Sequence, residues 1–395
     1  MAARTYLDHA SAAPWHPAAL ATVTAVAETL PGDPARGHAE GTAARDLLEA
    51  ARAAVATELG AGSDRVVFTS GGTEAVALAV RGAAAANRTR PRRILSCAAE
   101  HSAVLAAAEA TDHASVAVPV DQEGRVDLDA LSAELHHGAA LVTLQHANHE
   151  VGTLQPLAEA ARLCAEADAL LMVDACQTVG RLPVDLATLG ADFVALSAAK
   201  FGGGRGTGAL AWSPRARFVA LIGGDERERR RRAGLEHLPG IAALAETLLA
   251  LAPHHPGGPA AAEAARADAL RRRLRTALAE QVDDLAVHGP AEETAPHIVA
   301  VSALYVEGQA LQAALDRAGF AVHSGSSCAT TSGEPSHVLV AMGALTHGHV
   351  RASFGPGVGE QEVDAFAAAV AGAVGRLRSA AGITRKTWGR AANLG

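Results

Sequence analysis

The sequence predicts an α/β protein with a large, mostly parallel seven-stranded sheet and a smaller α+β unit after it. Seven short apolar runs alternate with Ala-rich helical patterns between residues 66 and 212: VVFTS, RRILSC, SVAVPV, ALVTLQH, LLMVDA, DFVALS and GALAW. This alternation is typical of parallel strands that helices cover on both faces. The composition, 49% hydrophobic but only 3% aromatic, fits cores built mainly from Ala, Val and Leu.

A cluster of helix-breaking residues, HHPGGP at 254–259, marks the predicted domain boundary. An Arg-rich helical pattern follows from residue 260 to about 281. After it come two or three short strands (HIVAVSAL, FAVHS, HVRASF) and three helical segments. At 395 residues the chain exceeds the length of most single cores. We therefore expect a large domain over residues 15–254 and a small domain composed of residues 1–14 and 255–395.

The charge and the cysteine pattern exclude several classes of partner. A formal net charge of −8 gives no overall attraction for nucleic acid or for an anionic membrane. No stretch approaches the ~20 apolar residues of a membrane span, and the N-terminus lacks the apolar segment of a signal peptide. Four cysteines without CxxC or metal-ligand spacing predict neither a disulfide framework nor a metal site. We expect a cytoplasmic protein that binds no nucleic acid, membrane or metal.

Polar residues that suit a phosphorylated cofactor follow three of the predicted strands. The first strand runs into Gly72 and Thr73, where a helix N-terminus would present N–H groups to a phosphate. Another strand ends at Asp174, a carboxylate that needs a cationic partner if it is buried. The next strand is followed by Ser197 and Lys200, and then by a Gly-rich stretch that permits close backbone approach.

Each of these features has an ordinary explanation by itself, such as a strand-to-helix turn, a solvent-facing carboxylate or a surface lysine. At the ends of neighbouring strands of one sheet they are hard to explain together without pyridoxal 5'-phosphate (PLP). A protonated pyridine nitrogen is a cationic partner for Asp174, and Lys200 could form a Schiff base with the cofactor. The sequence therefore predicts a PLP site.

These residues lie in motifs that resemble those of the cysteine desulfurases, which are class-V aminotransferases with the PLP-dependent aspartate-aminotransferase-like fold. The similar segments run from residue 6 to about 357 and include YLDHASAAP, TSGGTEA, AAEHSAVL, NHEVGTLQP, VDACQTVGRLPVDL, SGSSCATTSGEPSHVL and VRASFGPG. The resemblance implies a homodimeric, PLP-dependent L-cysteine desulfurase. Such an enzyme converts L-cysteine to L-alanine and passes the sulfur to an acceptor protein.

The resemblance also implies roles around the cofactor. Lys200 matches the Schiff-base lysine, Asp174 the partner of the pyridine nitrogen, and Gln177 a contact of the ring hydroxyl. His101 matches a histidine that stacks on the ring and shuttles protons. The positions expected to bind the phosphate are Gly72, Thr73 and Ser197.

On the substrate side, Arg351 matches an arginine that binds the substrate carboxylate, for which its bidentate guanidinium is suited. Asn148 is expected to contact the substrate as well. Cys328 lies in HSGSSCATTSGEP, whose small and polar residues predict a flexible loop. In the family the thiolate at this position takes the sulfur as a persulfide. The other three cysteines are expected to be small buried side chains.

Three positions depart from the family pattern, and all three concern the cofactor. His149 stands where Asn is usual, although a histidine can still donate to the ring hydroxyl. Ala199 stands where a His usually helps to bind the phosphate, and Leu235 where a Thr reaches the phosphate of the other subunit. The basic run RERRRR at 227–232 either supplies the missing positive charge or forms a solvated or docking surface.

Two other functions remain open. Another PLP lyase, acting on selenocysteine or on a cysteine derivative, would need Lys200 but could tolerate the loss of Cys328. A non-catalytic scaffold would keep the fold and bind a sulfur-acceptor protein after its phosphate site had decayed.

Overall fold

The structure is a computed structural model that describes residues 4–87, 89–325 and 335–383. Cys328, the predicted sulfur carrier, lies outside the described residues. The strands, in chain order, are β1 (Thr5–Tyr6), β2 (Val66–Thr69), β3 (Arg93–Cys97), β4 (Ala114–Val118), β5 (Leu141–Gln145), β6 (Leu170–Asp174), β7 (Phe193–Ser197), β8 (Gly208–Trp212), β9 (Leu285–His288), β10 (Ile298–Ala303), β11 (Phe320–Ala321) and β12 (His349–Ser353). The helices are α1 (Pro17–Thr29), α2 (Ala39–Glu58), α3 (Gly72–Ala86), α4 (Ser102–Glu109), α5 (Leu128–Leu135), α6 (Leu157–Glu166), α7 (Arg227–Arg230), α8 (Leu238–Leu251), α9 (Pro259–Gln281), α10 (Gly308–Arg317), α11 (His337–Ala341) and α12 (Glu360–Ala380).

The seven predicted strands form one seven-stranded sheet, in the order β2-β8-β7-β6-β5-β3-β4. Its pairs are parallel except those of β8, which runs antiparallel to both β2 and β7. The predicted α/β fold with a mostly parallel sheet is therefore confirmed.

Helices cover both faces of this sheet, and the strand residues alternate between them. In β6, Leu170 and Met172 pack in a cluster with residues of α3 and α4. Leu171 and Val173 point the other way, into a cluster with α2, α6 and α8. Full burial of such a side chain contributes roughly 1.5–3 kcal/mol. Burial on both faces is the reason why the strands read as continuous apolar runs rather than as alternating ones.

A second sheet with its own apolar core follows in the chain. Strands β9, β10 and β12 pair antiparallel in the order β12-β10-β9 and pack with α9, α10 and α12. The segment LAVH, which forms β9, was not predicted as a strand. The predicted strand FAVHS is short, and it pairs in parallel with β1 in a two-stranded sheet. The N-terminal residues therefore pack with the C-terminal part of the chain, whereas a domain boundary at residue 254 stays a prediction.

None of the helices in the described ranges is long and apolar enough to cross a membrane.

The topology brings several strand ends together at one edge of the large sheet. The carboxyl ends of the parallel strands β5, β6 and β7 all lie at this edge, and α3 begins there just after β2. In open α/β sheets, ligands bind at this edge.

Candidate active site

A cavity of about 730 Å³ lies at the carboxyl edge of the sheet. The large sheet and its connections contribute Gly72, Asp174 and Lys200 to its lining, and the C-terminal part of the chain contributes His323 and Arg351. Residues that are far apart in sequence thus face one space, as the predicted cofactor site requires.

The turn between β2 and α3 is shaped for an anion. Gly71 has φ of 153°, a value that favours glycine, and a Cβ at this position would meet open space. A Cβ on Gly72 would lie 2.5 Å from Sγ of Cys176 and 3.2 Å from Cβ of Ser197, so the turn can approach both residues only as glycine. The first N–H groups of α3 lack partners within the helix. This cradle, with Thr73 in the first turn, fits the phosphate of PLP.

An acidic residue in the same first turn is neutralised by the basic run. The Glu74 carboxylate accepts the Ser70 N–H at 2.7 Å and Arg232 Nε at 3.0 Å. Burial opposes ionisation of Glu74, but the contacts from Ser70 and Arg232 prevail and lower its pKa. Arg232 therefore offsets a negative charge beside the phosphate cradle.

Two other arginines of this run, Arg227 and Arg229, bind acids elsewhere on the chain. Arg227 pairs with Asp33 at 2.8 Å and with Glu236 at 2.6 Å. Arg229 pairs with Glu49 at 2.8 Å. Much of the positive charge of residues 227–232 is therefore neutralised by ion pairs with acids of the same chain.

Asp174 ends β6 and is buried, with 9% of its surface exposed. One of its carboxylate oxygens accepts the Cys176 N–H at 2.9 Å. No lysine, arginine or histidine within the described ranges forms an ion pair with it. A buried carboxylate of this kind favours a cationic ligand group, and the protonated pyridine nitrogen of PLP is one.

Lys200 follows β7 in a short turn and lines the same cavity. Its Nζ donates to the carbonyl oxygens of Ala10 at 2.9 Å and Ser11 at 2.8 Å. Burial lowers the pKa of Lys200, which increases the share of neutral amine. A neutral amine is the form that attacks a carbonyl carbon, so this position suits Schiff-base chemistry.

Gln177 lies near Lys200, and its side-chain amide makes two contacts. The amide nitrogen donates to the Ala10 carbonyl at 2.9 Å, and the amide oxygen lies 3.4 Å from Nε2 of His297. Because Lys200 also binds Ala10, the N-terminal segment holds both predicted cofactor contacts in place.

Histidine rings form one wall of the cavity. His101 caps α4, and its Nδ1 accepts the Ala103 N–H at 3.1 Å, so the neutral ring carries its proton on Nε2. The ring centroid of His149 lies 4.9 Å from that of His101, in an edge-to-face arrangement, and 6.4 Å from that of His337. Burial lowers the pKa of His101 and holds the pKa of His149 well below its usual value. Both rings are therefore neutral near pH 7.

Arg351 in β12 supplies the predicted carboxylate-binding group. Its guanidinium donates to Asp8 at 2.9 Å, to Oγ of Ser11 at 2.8 Å and to the His149 carbonyl at 2.6 Å. Its Nε has no partner in the described part of the chain. Arg351 lines the cavity, so a carboxylate could bind the guanidinium there.

One predicted site residue differs from the rest in its placement. Asn148 is fully buried and does not line the cavity. Its amide donates to the Ala99 carbonyl at 3.0 Å, and its oxygen accepts the N–H groups of Glu150 and Val151. The structure therefore places Asn148 as a support of the loop that carries His149.

The two positions that lack the usual phosphate-binding residues differ in location. Leu235 is 64% exposed, whereas Ala199 lines the cavity.

Sequence reasoning missed several residues that line or shape the site. Among them are Asp8 and Ser11, which bind Arg351, and Cys176, which packs against the phosphate turn. Glu100 is also buried, and burial together with nearby Asp174 raises its pKa well above the usual value. The motif DHASAAP contains Asp8 and was the available signal for this residue. Its contact was not predictable, because its partner Arg351 is distant in the sequence.

The class of protein follows from this arrangement. A mostly parallel sheet with a Gly72 phosphate turn, a buried Asp174 and Lys200 at its carboxyl edge defines a PLP-dependent enzyme of the class-V aminotransferase type. The family profile described as "Aminotransferase class-V" matches residues 5–366.

Comparison with known proteins narrows the family further. The chain is 37% identical over 369 residues to the cysteine desulfurase IscS of Anaeromyxobacter dehalogenans (strain 2CP-C), a match that covers 91% of this chain and 89% of that protein. It is 36% identical to a cysteine desulfurase of Cereibacter sphaeroides, with 95% and 97% of the two chains covered. A solved structure titled NifS-like protein matches with a TM-score of 0.86 at 28% identity, over 94% of this chain and 100% of the other. The chain belongs to the cysteine desulfurase family, and the predicted family and cofactor are confirmed.

Proposed function

We propose that the protein is an L-cysteine desulfurase that releases L-alanine and carries the sulfur on Cys328 for transfer to an acceptor protein. The observation that carries this proposal is the meeting of Asp174, Lys200 and Arg351 around one cavity beside the Gly72 turn. These groups suit the two ends of PLP and the carboxylate of an amino acid.

Bound PLP supplies an electron sink that labilises bonds at the α and β carbons of an amino acid. The N–H groups at Gly72 and Thr73, with the Ser197 hydroxyl, would hold the phosphate. Asp174 would pair with the protonated pyridine nitrogen, and Lys200 would provide the amine that attaches the cofactor. The role of Arg351 is to bind and orient the substrate carboxylate.

The neutral ring of His101 is placed to move a proton at its Nε2, since Nδ1 already accepts a backbone N–H. His149 packs edge-on against it and keeps its orientation. We assign to His101 the proton transfers that accompany loss of sulfur and release of alanine.

The sulfur step needs a thiolate. We propose that the Cys328 thiolate attacks the substrate sulfur, so that an S–S bond forms while the substrate C–S bond breaks. The electron pair of that bond remains on the β carbon, which takes a proton and becomes the methyl group of alanine. The remaining cysteines suit this step poorly. Burial raises the pKa of Cys164 to about 12, and it raises the pKa of Cys97 and of Cys176 well above the usual value.

Dimerisation and location are further parts of the proposal. Leu20 in α1 and Leu249 in α8 are each 50% exposed on helices that pack together, and Leu235 is 64% exposed. We propose that a second copy of the chain covers these leucines.

A cytoplasmic location agrees with the free thiols of Cys97, Cys164 and Cys176, because disulfides are rare in reducing compartments.

The products of the reaction test the activity. Purified protein reconstituted with PLP should convert L-cysteine to alanine and sulfide in equal amounts when a thiol reductant is present. Pyruvate and ammonia in place of alanine would indicate a cysteine lyase. A protein that binds no PLP and turns over no cysteine would be the scaffold.

A further inference from the structure

A second cavity, of about 240 Å³, lies next to the main chain of Lys200 but is separate from the cofactor cavity. The N-terminal segment, the turn after β6 and the start of α9 form its walls, to which Trp15, Arg181 and Glu263 contribute. We call it the Arg181 cavity. None of the roles assigned above uses it.

The walls of the Arg181 cavity are largely apolar. Trp15, Phe201, Ala264 and Pro296 lie among the lining residues. An apolar cavity of ~150 Å³ is sufficient for benzene, whereas sites for drug-sized ligands measure ~300–1,000 Å³. The Arg181 cavity is therefore the right size for a small molecule with one ring or a short branched chain.

Arg181 brings to this apolar space a positive charge that forms no ion pair within the described residues. One of its terminal nitrogens donates to the Lys200 carbonyl at 2.9 Å, and its buried Nε has no partner in the described part of the chain. Glu263, the acid that shares the cavity, is paired with Arg266 at 2.6 Å instead. Burial lowers the pKa of Arg181 to about 10, although Glu263 acts in the opposite direction. A largely enclosed guanidinium whose one hydrogen-bond acceptor among the described residues is a neutral carbonyl favours an anion.

We propose that the Arg181 cavity binds a small carboxylate with an apolar body. The carboxylate pairs with the guanidinium of Arg181, a geometry that permits two parallel hydrogen bonds. The apolar body contacts Trp15 and Phe201. This site is distinct from the cofactor cavity, where Arg351 is the carboxylate-binding group. It does not depend on the desulfurase activity.

Benzoate and benzamide are a matched pair of probes, because they have nearly the same shape but only benzoate is charged at pH 7. The PLP-loaded protein should bind benzoate about tenfold or more tightly than benzamide in calorimetric titrations, since only benzoate forms a charge-assisted pair. Binding should also shift the tryptophan fluorescence, because Trp15 lines the cavity.

Four variants locate the binding. Arg181→Gln should remove the preference for benzoate, and Ala264→Leu, which adds bulk to the α9 wall of the cavity, should weaken both probes. Arg162→Gln, an exposed arginine on α6, should change nothing. Arg351→Gln should leave benzoate binding intact, because that residue lines the other cavity.

Three results would overturn the proposal. One is equal affinity for benzoate and benzamide, or binding of neither. Another is a benzoate preference that survives Arg181→Gln, or affinities for both probes that are unchanged in Ala264→Leu. The third is a preference that disappears in Arg351→Gln, which would place the ligand in the cofactor cavity. If Arg181→Gln fails to fold, Ala264→Leu still tests the location, since unchanged affinities for both probes would place the ligand outside the Arg181 cavity.

Discussion

The guanidinium of Arg351 donates a hydrogen bond to the carboxylate of Asp8 at 2.9 Å, and both side chains are largely buried. The two residues are 343 positions apart, so the pair ties the N-terminal segment to β12. If Arg351 binds the substrate carboxylate as proposed, its positive charge would interact with both that carboxylate and Asp8.

The first prediction is that Asp8→Asn lowers KM for L-cysteine. The amide keeps a hydrogen bond to Arg351 but removes the competing negative charge, which is worth ~1 kcal/mol, or roughly fivefold, for a pair whose acid retains 19% exposure. Steady-state kinetics would measure it, with Asp316→Asn, an exposed acid paired with Arg4, as control. A higher KM in Asp8→Asn would mean that the acid positions Arg351 rather than competes with the substrate.

The second prediction concerns Arg232 and PLP affinity. Arg232→Gln should raise the PLP dissociation constant about tenfold, because Glu74 would then present an unneutralised carboxylate beside the phosphate, at a cost of ~1–2 kcal/mol. Equilibrium dialysis or the loss of cofactor absorbance measures this. Arg230→Gln removes an exposed arginine of the same run and should have no effect. Equal affinities in both variants would show that Arg232 does not act on the phosphate site.

The third prediction tests the phosphate turn. Gly72→Ala should abolish tight PLP binding, since its Cβ would lie 2.5 Å from Sγ of Cys176. Adding Cys176→Ala removes that sulfur and should restore part of the affinity, because the contact with Cβ of Ser197 at 3.2 Å remains. Cys176→Ala alone is the control and should bind PLP normally. An absence of any rescue would mean that the close approach of Cys176 is not what requires glycine.

The fourth prediction concerns stability at acidic pH. Burial lowers the pKa of His9 and of His288 to about 4, the latter with a contribution from Arg275. Between that value and the ordinary histidine pKa of ~6.5 the unfolded chain binds protons that the folded chain does not, so the free energy of unfolding decreases as pH falls through this window.

Urea unfolding at pH 7.5, 6.5 and 5.5 should therefore show decreasing stability. Each such histidine contributes up to about 1.4 kcal/mol per pH unit. His288→Gln keeps a polar group for Ser302 and should reduce this slope, whereas His136→Gln on the surface should not. A slope that is unchanged in His288→Gln would contradict the assignment.

The sequence was sufficient to predict the seven strands of the large sheet, because burial on both faces leaves continuous apolar runs. It also placed Asp174 and Lys200 at one edge, since residues that end parallel strands meet there. The contacts of these residues were not predictable. Lys200 and Gln177 both bind the Ala10 carbonyl, and no local pattern indicates a main-chain acceptor so far away in the chain.

The basic run at 227–232 illustrates the same limit. Its composition suggested a solvated surface or a phosphate contact, but Glu228 within it is buried and pairs with Arg52 at 2.7 Å. A sequence shows how many charged residues a segment contains, whereas the fold determines which of them form ion pairs. Similarly, Asn148 looked like a substrate contact, but three backbone groups already occupy its side chain.

Mass spectrometry of the protein after brief treatment with L-cysteine tests the central claim most directly. The account predicts one added sulfur on the peptide that contains Cys328, removed by a thiol reductant and absent in Cys328→Ser, which should still bind PLP. Cys164→Ser, in which a buried cysteine is replaced, should keep the added sulfur. An added sulfur on Cys97, Cys164 or Cys176, or alanine formation at an undiminished rate in Cys328→Ser, would contradict the persulfide mechanism.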